Sequence, residues 1–135
     1  MVALLALHGF TQNGAWMRRQ MGPLAERLGK LADLQFVDAP HQWSGDTAQR
    51  LRSRADDRES KRLQWWNASD DGQVYEGWEE TREKLSRAIQ GHATVGLIGF
   101  SQGAIAATAM AALAVCGLGP KLDFVVLLGD RKSVV

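Results

Sequence analysis

Four short apolar segments are separated along the chain by stretches with helical periodicity. These segments are residues 2–7, 34–37, 94–98 and 124–128. Their apolar side chains run continuously rather than at alternate positions, which is expected for strands covered on both faces of a parallel sheet. The pattern therefore predicts an α/β fold, with a mostly parallel sheet of about four strands and flanking helices.

Apolar residues spaced three or four apart predict helices between these segments. The first such region is residues 17–28, where Pro23 predicts a kink or a new helix start and Gly29 predicts the end. A second helix is predicted at residues 75–90, because one face is apolar, acidic residues come early and Arg87 comes late.

A third helix is predicted at about residues 102–115, where alanine dominates and favours close packing against a sheet. Gly117 is the predicted stop of this helix. Cys116 is the single cysteine of the chain, and we interpret it as a small core residue rather than a nucleophile. One cysteine cannot form an internal disulfide, so we expect a reducing compartment.

Length and charge indicate one domain, residues 1–135, with a net charge of +1. Balanced charge does not favour a nucleic-acid partner. No apolar run reaches the roughly 20 residues of a membrane span, and residues 2–7 are too short for a signal peptide. We expect a cytoplasmic protein.

Residues 39–73, with a charge-rich stretch at 50–62, show no clear period and suggest a lid-like or partly disordered excursion.

The most informative motif is the pentapeptide Gly99-Phe100-Ser101-Gln102-Gly103, which lies between the third predicted strand and the alanine-rich helix. A G-x-S-x-G motif in this setting is typical of a nucleophile elbow, in which small flanking residues allow a sharp turn that exposes the serine hydroxyl. The alternative is a serine whose role in the turn is only geometrical. The setting favours Ser101 as a catalytic nucleophile.

A second motif, His8-Gly9-Phe10, follows the first predicted strand. If the sheet is doubly wound, the connections after the first and third strands leave from the same edge, where ligands bind in open α/β sheets. Acyl transfer requires two backbone N–H groups aimed at the developing oxyanion. We therefore predict the amides of Phe10 and Gln102 as the oxyanion hole.

Five segments in a fixed order resemble the FSH-type family of serine hydrolases, which is typified by small fungal esterases and ovarian cancer-associated protein 2. They are LHGFTQN at residues 7–13, FVDAPH at 36–41, WW at 65–66, YEG at 75–77 and LIGFSQGA at 97–104. The resemblance covers residues 1–128. It implies an α/β-hydrolase fold with strand order 2-1-3-4, and esterase or thioesterase activity on small acyl substrates without a cofactor or metal.

The chain departs from that family after the fourth predicted strand. Members continue into two further strands whose loops supply the acid and the histidine of the triad, whereas residues 129–135 contain Asp130 and no histidine. We therefore expect a truncated hydrolase domain without its base. Asp130 is the candidate acid, and the alternative is an exposed residue in a frayed tail. The last strand would be an apolar edge capable of self-association.

The three histidines of the chain are weak candidates for a substitute base. We expect His8 to shape the oxyanion loop, and His41 to lie at a pocket rim or tether a loop. His92 precedes the third strand, at the wrong end of the sheet. His8, His41, Trp65 and Trp66 are candidates for a substrate pocket, and the alternative for the tryptophans is that they cover the sheet.

Three hypotheses on function remain open. The first is a serine hydrolase that cleaves carboxylic esters or thioesters. The second is a catalytically inactive fragment or an acyl-binding module. The third is a flavodoxin-like binder, because that fold shares the 2-1-3-4 strand order and residues 11–14 resemble a phosphate loop.

Overall fold

The computed structural model describes residues 1–43, 61–68 and 73–129. In chain order its elements are β1 (Ala3–Leu7), α1 (Gly14–Met21), α2 (Pro23–Leu31), β2 (Asp33–Val37), β3 (His41–Gln42), β4 (Leu63–Gln64), β5 (Asn67–Ala68), β6 (Tyr75–Glu76), α3 (Trp78–Ile89), β7 (Val95–Phe100), α4 (Gln102–Val115) and β8 (Phe124–Leu128). Much of the predicted excursion at residues 39–73, including most of its charge-rich stretch at 50–62, lies outside the described residues, and so does Asp130.

Four parallel strands form the main sheet in the order β2-β1-β7-β8. This order and the α/β class confirm the prediction. The central strands β1 and β7 are buried almost throughout, whereas β2 and β8 are partly exposed. The expectation that all four strands are covered on both faces is therefore wrong for β2 and β8, which lie at the two ends of the described sheet and keep exposed side chains.

Side chains of β1 alternate between two hydrophobic clusters, one on each face of the sheet. Leu5 and Leu7 join a cluster that includes residues of α3 and α4, and Leu4 and Ala6 join one that includes Met17 of α1. Complete burial of a leucine side chain contributes about 1.5–3 kcal/mol to the free energy of unfolding. Strand β1 therefore contributes side chains to the hydrophobic clusters on both faces of the sheet.

The first helical region is two helices rather than one. Helix α1 ends before Gly22, which has a φ of +49°, and α2 begins at Pro23. This confirms the predicted new start at Pro23, since proline favours the first helical position. The stop predicted at Gly29 is wrong. Helix α2 continues to Leu31, because an exposed glycine within a helix costs only about 1 kcal/mol relative to alanine.

The second predicted helix begins later than the sequence suggests. Tyr75 and Glu76 form β6, which pairs with β5 in an antiparallel ladder, and Gly77 turns the chain with a φ of +99° before α3 starts. A second short ladder joins β3 to β4. These strands of two residues each are too short to leave an apolar period in the sequence.

The third helix has the predicted bounds, and its end is a Schellman motif. Gly117, with a φ of +73°, donates to the Ala114 carbonyl at 3.2 Å, and Leu118 donates to the Leu113 carbonyl at 2.8 Å. Cys116 caps the helix and is exposed, so its interpretation as a core residue is wrong. Of the helices described, none has both the length and the apolar composition needed to cross a membrane.

Two glycines in helices provide a test of how closely α4 approaches the sheet. A Cβ at Gly103 would lie 2.1 Å from the Leu7 carbonyl oxygen, whereas a Cβ at Gly29 would meet nothing within 4 Å. We expect Gly103→Ala to lower the free energy of unfolding by about 1–3 kcal/mol or more, and Gly29→Ala to raise it by about 0.5–1 kcal/mol. Urea unfolding measures both, and equal effects would contradict the packing described.

Candidate active site

The loops that follow β1 and β7 lie side by side at the carboxyl edge of the sheet. Leu7 is paired with Gly99 in the parallel register. A Cβ at Gly99 would lie 2.3 Å from the Gly103 carbonyl oxygen, and one at Gly103 would lie 2.5 Å from the His8 carbonyl oxygen. Because real Cβ atoms do not approach this closely, glycine at both positions is what allows the elbow to fold and to touch the loop after β1.

Ser101 lies at the apex of the turn between β7 and α4. Its φ of +55° lies in the left-handed region, which costs a residue with a side chain about 1–3 kcal/mol and is common at functional sites. The backbone holds this conformation from both sides. Its N–H donates to the Leu128 carbonyl at 3.2 Å, and its carbonyl accepts from Ala104 at 2.9 Å.

The Ser101 side chain is partly exposed. Within the described ranges, no hydrogen-bond partner is found for its hydroxyl oxygen. The residue also forms the N-cap of α4, a helix of 14 residues, so the positive end of the helix dipole lies beside it. The hydroxyl is therefore accessible to a ligand, at a position where developing negative charge is favoured.

Two backbone amides near Ser101 are free to donate. Among the described residues, neither the Phe10 N–H nor the Gln102 N–H has a hydrogen-bond acceptor. The neighbouring Thr11 has a φ of +64°, and its own N–H donates to the Leu63 carbonyl at 2.9 Å. Two strained residues, Thr11 and Ser101, thus border the point where the loop meets the elbow.

Internal hydrogen bonds fix the loop after β1. The Gly9 amide donates to the Gln12 side-chain oxygen at 2.8 Å, and the Gln12 amide donates back to the Gly9 carbonyl at 3.2 Å. The Gly14 amide donates to an Asp38 carboxylate oxygen at 2.8 Å. A phosphate loop needs such amides unpaired and no carboxylate beside them, so this geometry disfavours the flavodoxin-like alternative.

Trp65 connects the loop after β1 to the elbow by hydrogen bonds. Its indole N–H donates to the His8 carbonyl at 2.8 Å, and its backbone N–H donates to the Gln102 side-chain oxygen at 2.9 Å. Its own carbonyl accepts a hydrogen bond from the Thr81 hydroxyl of α3. Trp65 is completely buried and packs against the core.

The Gln102 side chain completes this connection. While its oxygen accepts from Trp65, its amide nitrogen donates to the Trp66 carbonyl at 3.1 Å. The residue therefore offers its backbone N–H toward the site and uses its side chain to hold the segment at residues 65–66. Trp66 also lines a groove beside α4, where its ring contacts that of Trp78 edge-on.

His8 is completely buried and both of its ring nitrogens are engaged. Nε2 accepts from the Ala39 amide at 3.0 Å, so Nε2 carries no proton, and Nδ1 lies 2.8 Å from the Gly9 carbonyl oxygen, to which it donates. The ring stacks on Trp65 with centroids 5.0 Å apart. Burial lowers the pKa of His8, against the opposing effects of the Gly9 hydrogen bond and the Asp38 charge.

The other two histidines are not at the elbow either. His41 Nε2 lies 2.9 Å from the Gly77 carbonyl oxygen, so His41 tethers β3 to the turn before α3. A Cβ at Gly77 would collide with the His41 ring at 2.6 Å. His92 is exposed and precedes β7, at the amino edge of the sheet, opposite Ser101.

Of the two aspartates that flank β8 in the sequence, the structure describes Asp123. Asp123 lies at the amino edge, where its carboxylate accepts from the Val95 amide at 2.9 Å, and this hydrogen bond lowers the pKa of Asp123. Asp130, the candidate acid, lies outside the described residues. In the described part of the chain, no cluster of three or more His, Cys, Asp or Glu side chains is arranged to bind a metal.

Sequence reasoning missed the polar residues that join the elements beneath the site. Thr81 is the clearest example, because it is a completely buried polar residue on the apolar face of α3. A threonine one turn after Trp78 and one turn before Leu85 was a signal that this face contains a hydrogen-bond donor. Nothing in the sequence around Gln102 indicates that its side chain bonds to the backbone of Trp65 and Trp66.

The buried histidine predicts a specific pH dependence of stability. Unfolding returns the pKa of His8 to its ordinary 6.5, so below that pH the unfolded state binds more protons than the folded state. We expect the free energy of unfolding to decrease as the pH falls below about 6.5, with a slope from this residue of at most about 1.4 kcal/mol per pH unit, the limit for one proton. Urea unfolding across this range measures it.

His8→Gln, although less stable, should lose this part of the slope, while the exposed control His92→Gln should keep it. An unchanged slope in His8→Gln would show that burial of His8 does not govern the acid sensitivity.

Known proteins resemble this chain over most of its length. A family model described as serine hydrolase (FSH1) matches residues 1–132. Esterase OVCA2 of Danio rerio is 31% identical over 148 residues, which cover 96% of this chain and 65% of the relative. Esterase AAEL000016 of Aedes aegypti is 30% identical, with 96% and 50% covered, and Esterase AGAP003155 of Anopheles gambiae is 32% identical, with 75% and 39% covered.

The chain thus spans between 39% and 65% of the length of these three relatives. The family match includes the elbow and the loop after β1, the two segments that the fold brings together. The expected resemblance is confirmed, and the chain belongs to the FSH1 family of serine hydrolases.

Proposed function

We propose that this chain carries the nucleophile and the oxyanion hole of a serine esterase or thioesterase that acts on small acyl substrates in the cytoplasm. The observation that carries the proposal is the contact between two loops. Among the residues that the structure describes, the partly exposed Ser101 hydroxyl has no hydrogen-bond partner, and the Phe10 and Gln102 amides of the adjoining turns have no acceptor. Nucleophile and oxyanion donors are the two parts that acyl transfer requires at one carbonyl group.

The proposed reaction begins when the Ser101 Oγ attacks the acyl carbonyl carbon. The carbonyl oxygen becomes an oxyanion, which accepts hydrogen bonds from the Phe10 and Gln102 amides. Collapse of the tetrahedral intermediate expels an alcohol or a thiol and leaves the acyl group on Ser101. Water then releases the carboxylic acid. Removing one such donor typically lowers the catalytic rate by about 10²–10³-fold.

The proton of Ser101 requires an acceptor, and the chain's own histidines do not favour that role. His8 uses both nitrogens in backbone hydrogen bonds, His41 bonds to Gly77, and His92 lies at the other edge of the sheet. We propose that a base from outside these three residues activates Ser101. This observation also favours a second candidate function, an acyl-binding site that acts without turnover.

Labelling with a fluorophosphonate distinguishes the two candidates. Because an oxyanion hole alone retains about 10³–10⁴ of rate enhancement, we expect Ser101 to react at least about 10³-fold faster than an ordinary surface serine. Mass spectrometry of the intact protein should find one adduct, which Ser101→Ala abolishes and the control Ser86→Ala retains. A folded protein without an adduct would reject the enzyme and leave the acyl-binding candidate.

The Gln102 side chain should affect that reaction without touching the substrate. Gln102→Met keeps the backbone N–H and the side-chain volume, but it leaves the Trp65 amide and the Trp66 carbonyl without their partners. We expect the labelling rate to fall about tenfold or more, and the free energy of unfolding by about 1–3 kcal/mol. Gln35→Met, at an exposed position of β2, is the control. Unchanged labelling in Gln102→Met would contradict the positioning role.

Self-association through β8 stays a prediction. Within the described residues β8 pairs only with β7, and Phe124, Val126 and Leu127 are each 40–50% exposed. An apolar edge of this kind favours pairing with another strand.

A further inference from the structure

A groove of about 620 Å³ opens between the start of α3 and the outer face of α4. Three aromatic side chains line it, those of Trp66, Tyr75 and Trp78. Ile105 of α4 forms part of the opposite wall. The groove is separate from the buried Trp65 and its hydrogen bonds.

The groove adjoins the elbow. Ile105 is one helical turn after Ser101, and its amide donates to the Ser101 carbonyl at 3.2 Å. On the facing side, the Trp66 carbonyl accepts from the Gln102 side chain. The groove and the elbow are thus linked by the first turn of α4 and by the contact between Trp66 and Gln102.

The aromatic rings provide electron-rich surfaces. Trp66 and Trp78 meet edge-on, with centroids 5.8 Å apart and planes at 78°, so their faces point in different directions. Tyr75 adds a ring that is 61% exposed. Aromatic faces attract cations within about 6 Å of the ring centre, and tryptophan does so most strongly.

The charged residues among those described around the groove are all acidic. Glu79 and Glu80 line it, and no lysine or arginine of the described residues does. Glu79 forms an ion pair with Arg82 at 2.7 Å, whereas the nearest cationic candidate to Glu80 is His41, whose Nε2 is 3.9 Å away. Acidic residues at a helix start are also favoured by the helix dipole, but that effect does not require aromatic rings beside them.

We propose that this groove binds an organic cation, an alkylammonium group carried by the substrate of Ser101. The charge of Glu80 and the rings of Trp78 and Tyr75 are the features that recognise it, while Trp66, which is only 9% exposed, forms the floor of the groove. As a statement about the substrate, the proposal rests on the proposed function. Binding of the cation itself depends only on the residues of the groove, because it requires no reaction with Ser101.

The test is a titration of tryptophan fluorescence in Ser101→Ala protein, with choline and with its neutral isostere 3,3-dimethylbutan-1-ol. Two of the chain's five tryptophans line the groove, so occupancy should change the emission. We expect saturable binding of choline in the millimolar range, and binding of the neutral isostere about tenfold weaker, since cation–π and ion-pair contributions are lost.

Two variants locate the site. Glu80→Gln should weaken choline binding about fivefold and leave the binding of the isostere unchanged. Glu83→Gln is the matched control, because Glu83 lies on the same helix and pairs with Arg87 away from the groove, and it should bind choline like the parent. Trp78→Leu should weaken choline binding about tenfold.

Equal affinities for choline and its isostere would overturn the proposal and identify an apolar subsite. A folded protein with no saturable response would overturn it as well, and so would equal losses in Glu80→Gln and Glu83→Gln. Because the readout is binding to a protein without the nucleophile, failure of fluorophosphonate labelling in the parent chain rejects the proposed function and leaves this result standing.

Discussion

The site depends on the close approach of the first turn of α4 to the end of β1. Gly103 lies so near the Leu7 and His8 carbonyl oxygens that any Cβ there would collide with backbone. Backbone atoms cannot move aside as a long side chain does, so this contact fixes the helix against the strand. It also fixes the distance between the loop that contains Phe10 and the turn that contains Ser101, and an oxyanion hole made from two separate loops requires that distance to be constant.

Polar groups then make the contact specific. A buried hydrophobic interface alone would tolerate small shifts of one loop against the other, because hydrophobic attraction has no direction. Trp65 removes that freedom, since its indole bonds to His8 and its backbone bonds to Gln102. Thr81 anchors the same tryptophan to α3. The bonds of Trp65 to His8 and Thr81 are buried and the bond to Gln102 is partly buried, so losing one leaves an unpaired group at a cost of about 1–3 kcal/mol.

These two layers of the structure differ in how well the sequence predicts them. The elbow and the strands themselves are encoded locally, by G-x-S-x-G between a strand and a helix and by short apolar runs, whereas the strand order was expected from the resemblance to a known family. The tryptophan network is not, because the partners in the bond from Trp65 to His8 are 57 residues apart. Two adjacent tryptophans in a sequence are compatible with lining a pocket and also with covering the sheet, so their hydrogen bonds could not be predicted. The exposure of Cys116 was also missed, since an apolar neighbourhood in sequence does not reveal which face of a helix end is covered.

The hydrogen bonds that position the loop after β1 also determine which chemistry His8 can perform. An imidazole accepts a proton only through a nitrogen with a free lone pair. The one such nitrogen of His8 accepts from the Ala39 amide, and the other donates to Gly9. To serve as a base, the ring would have to break both bonds inside a buried space and acquire a charge that burial disfavours. His8 therefore holds the loop after β1 in place, and the two hydrogen bonds that fix it leave neither ring nitrogen free to accept a proton.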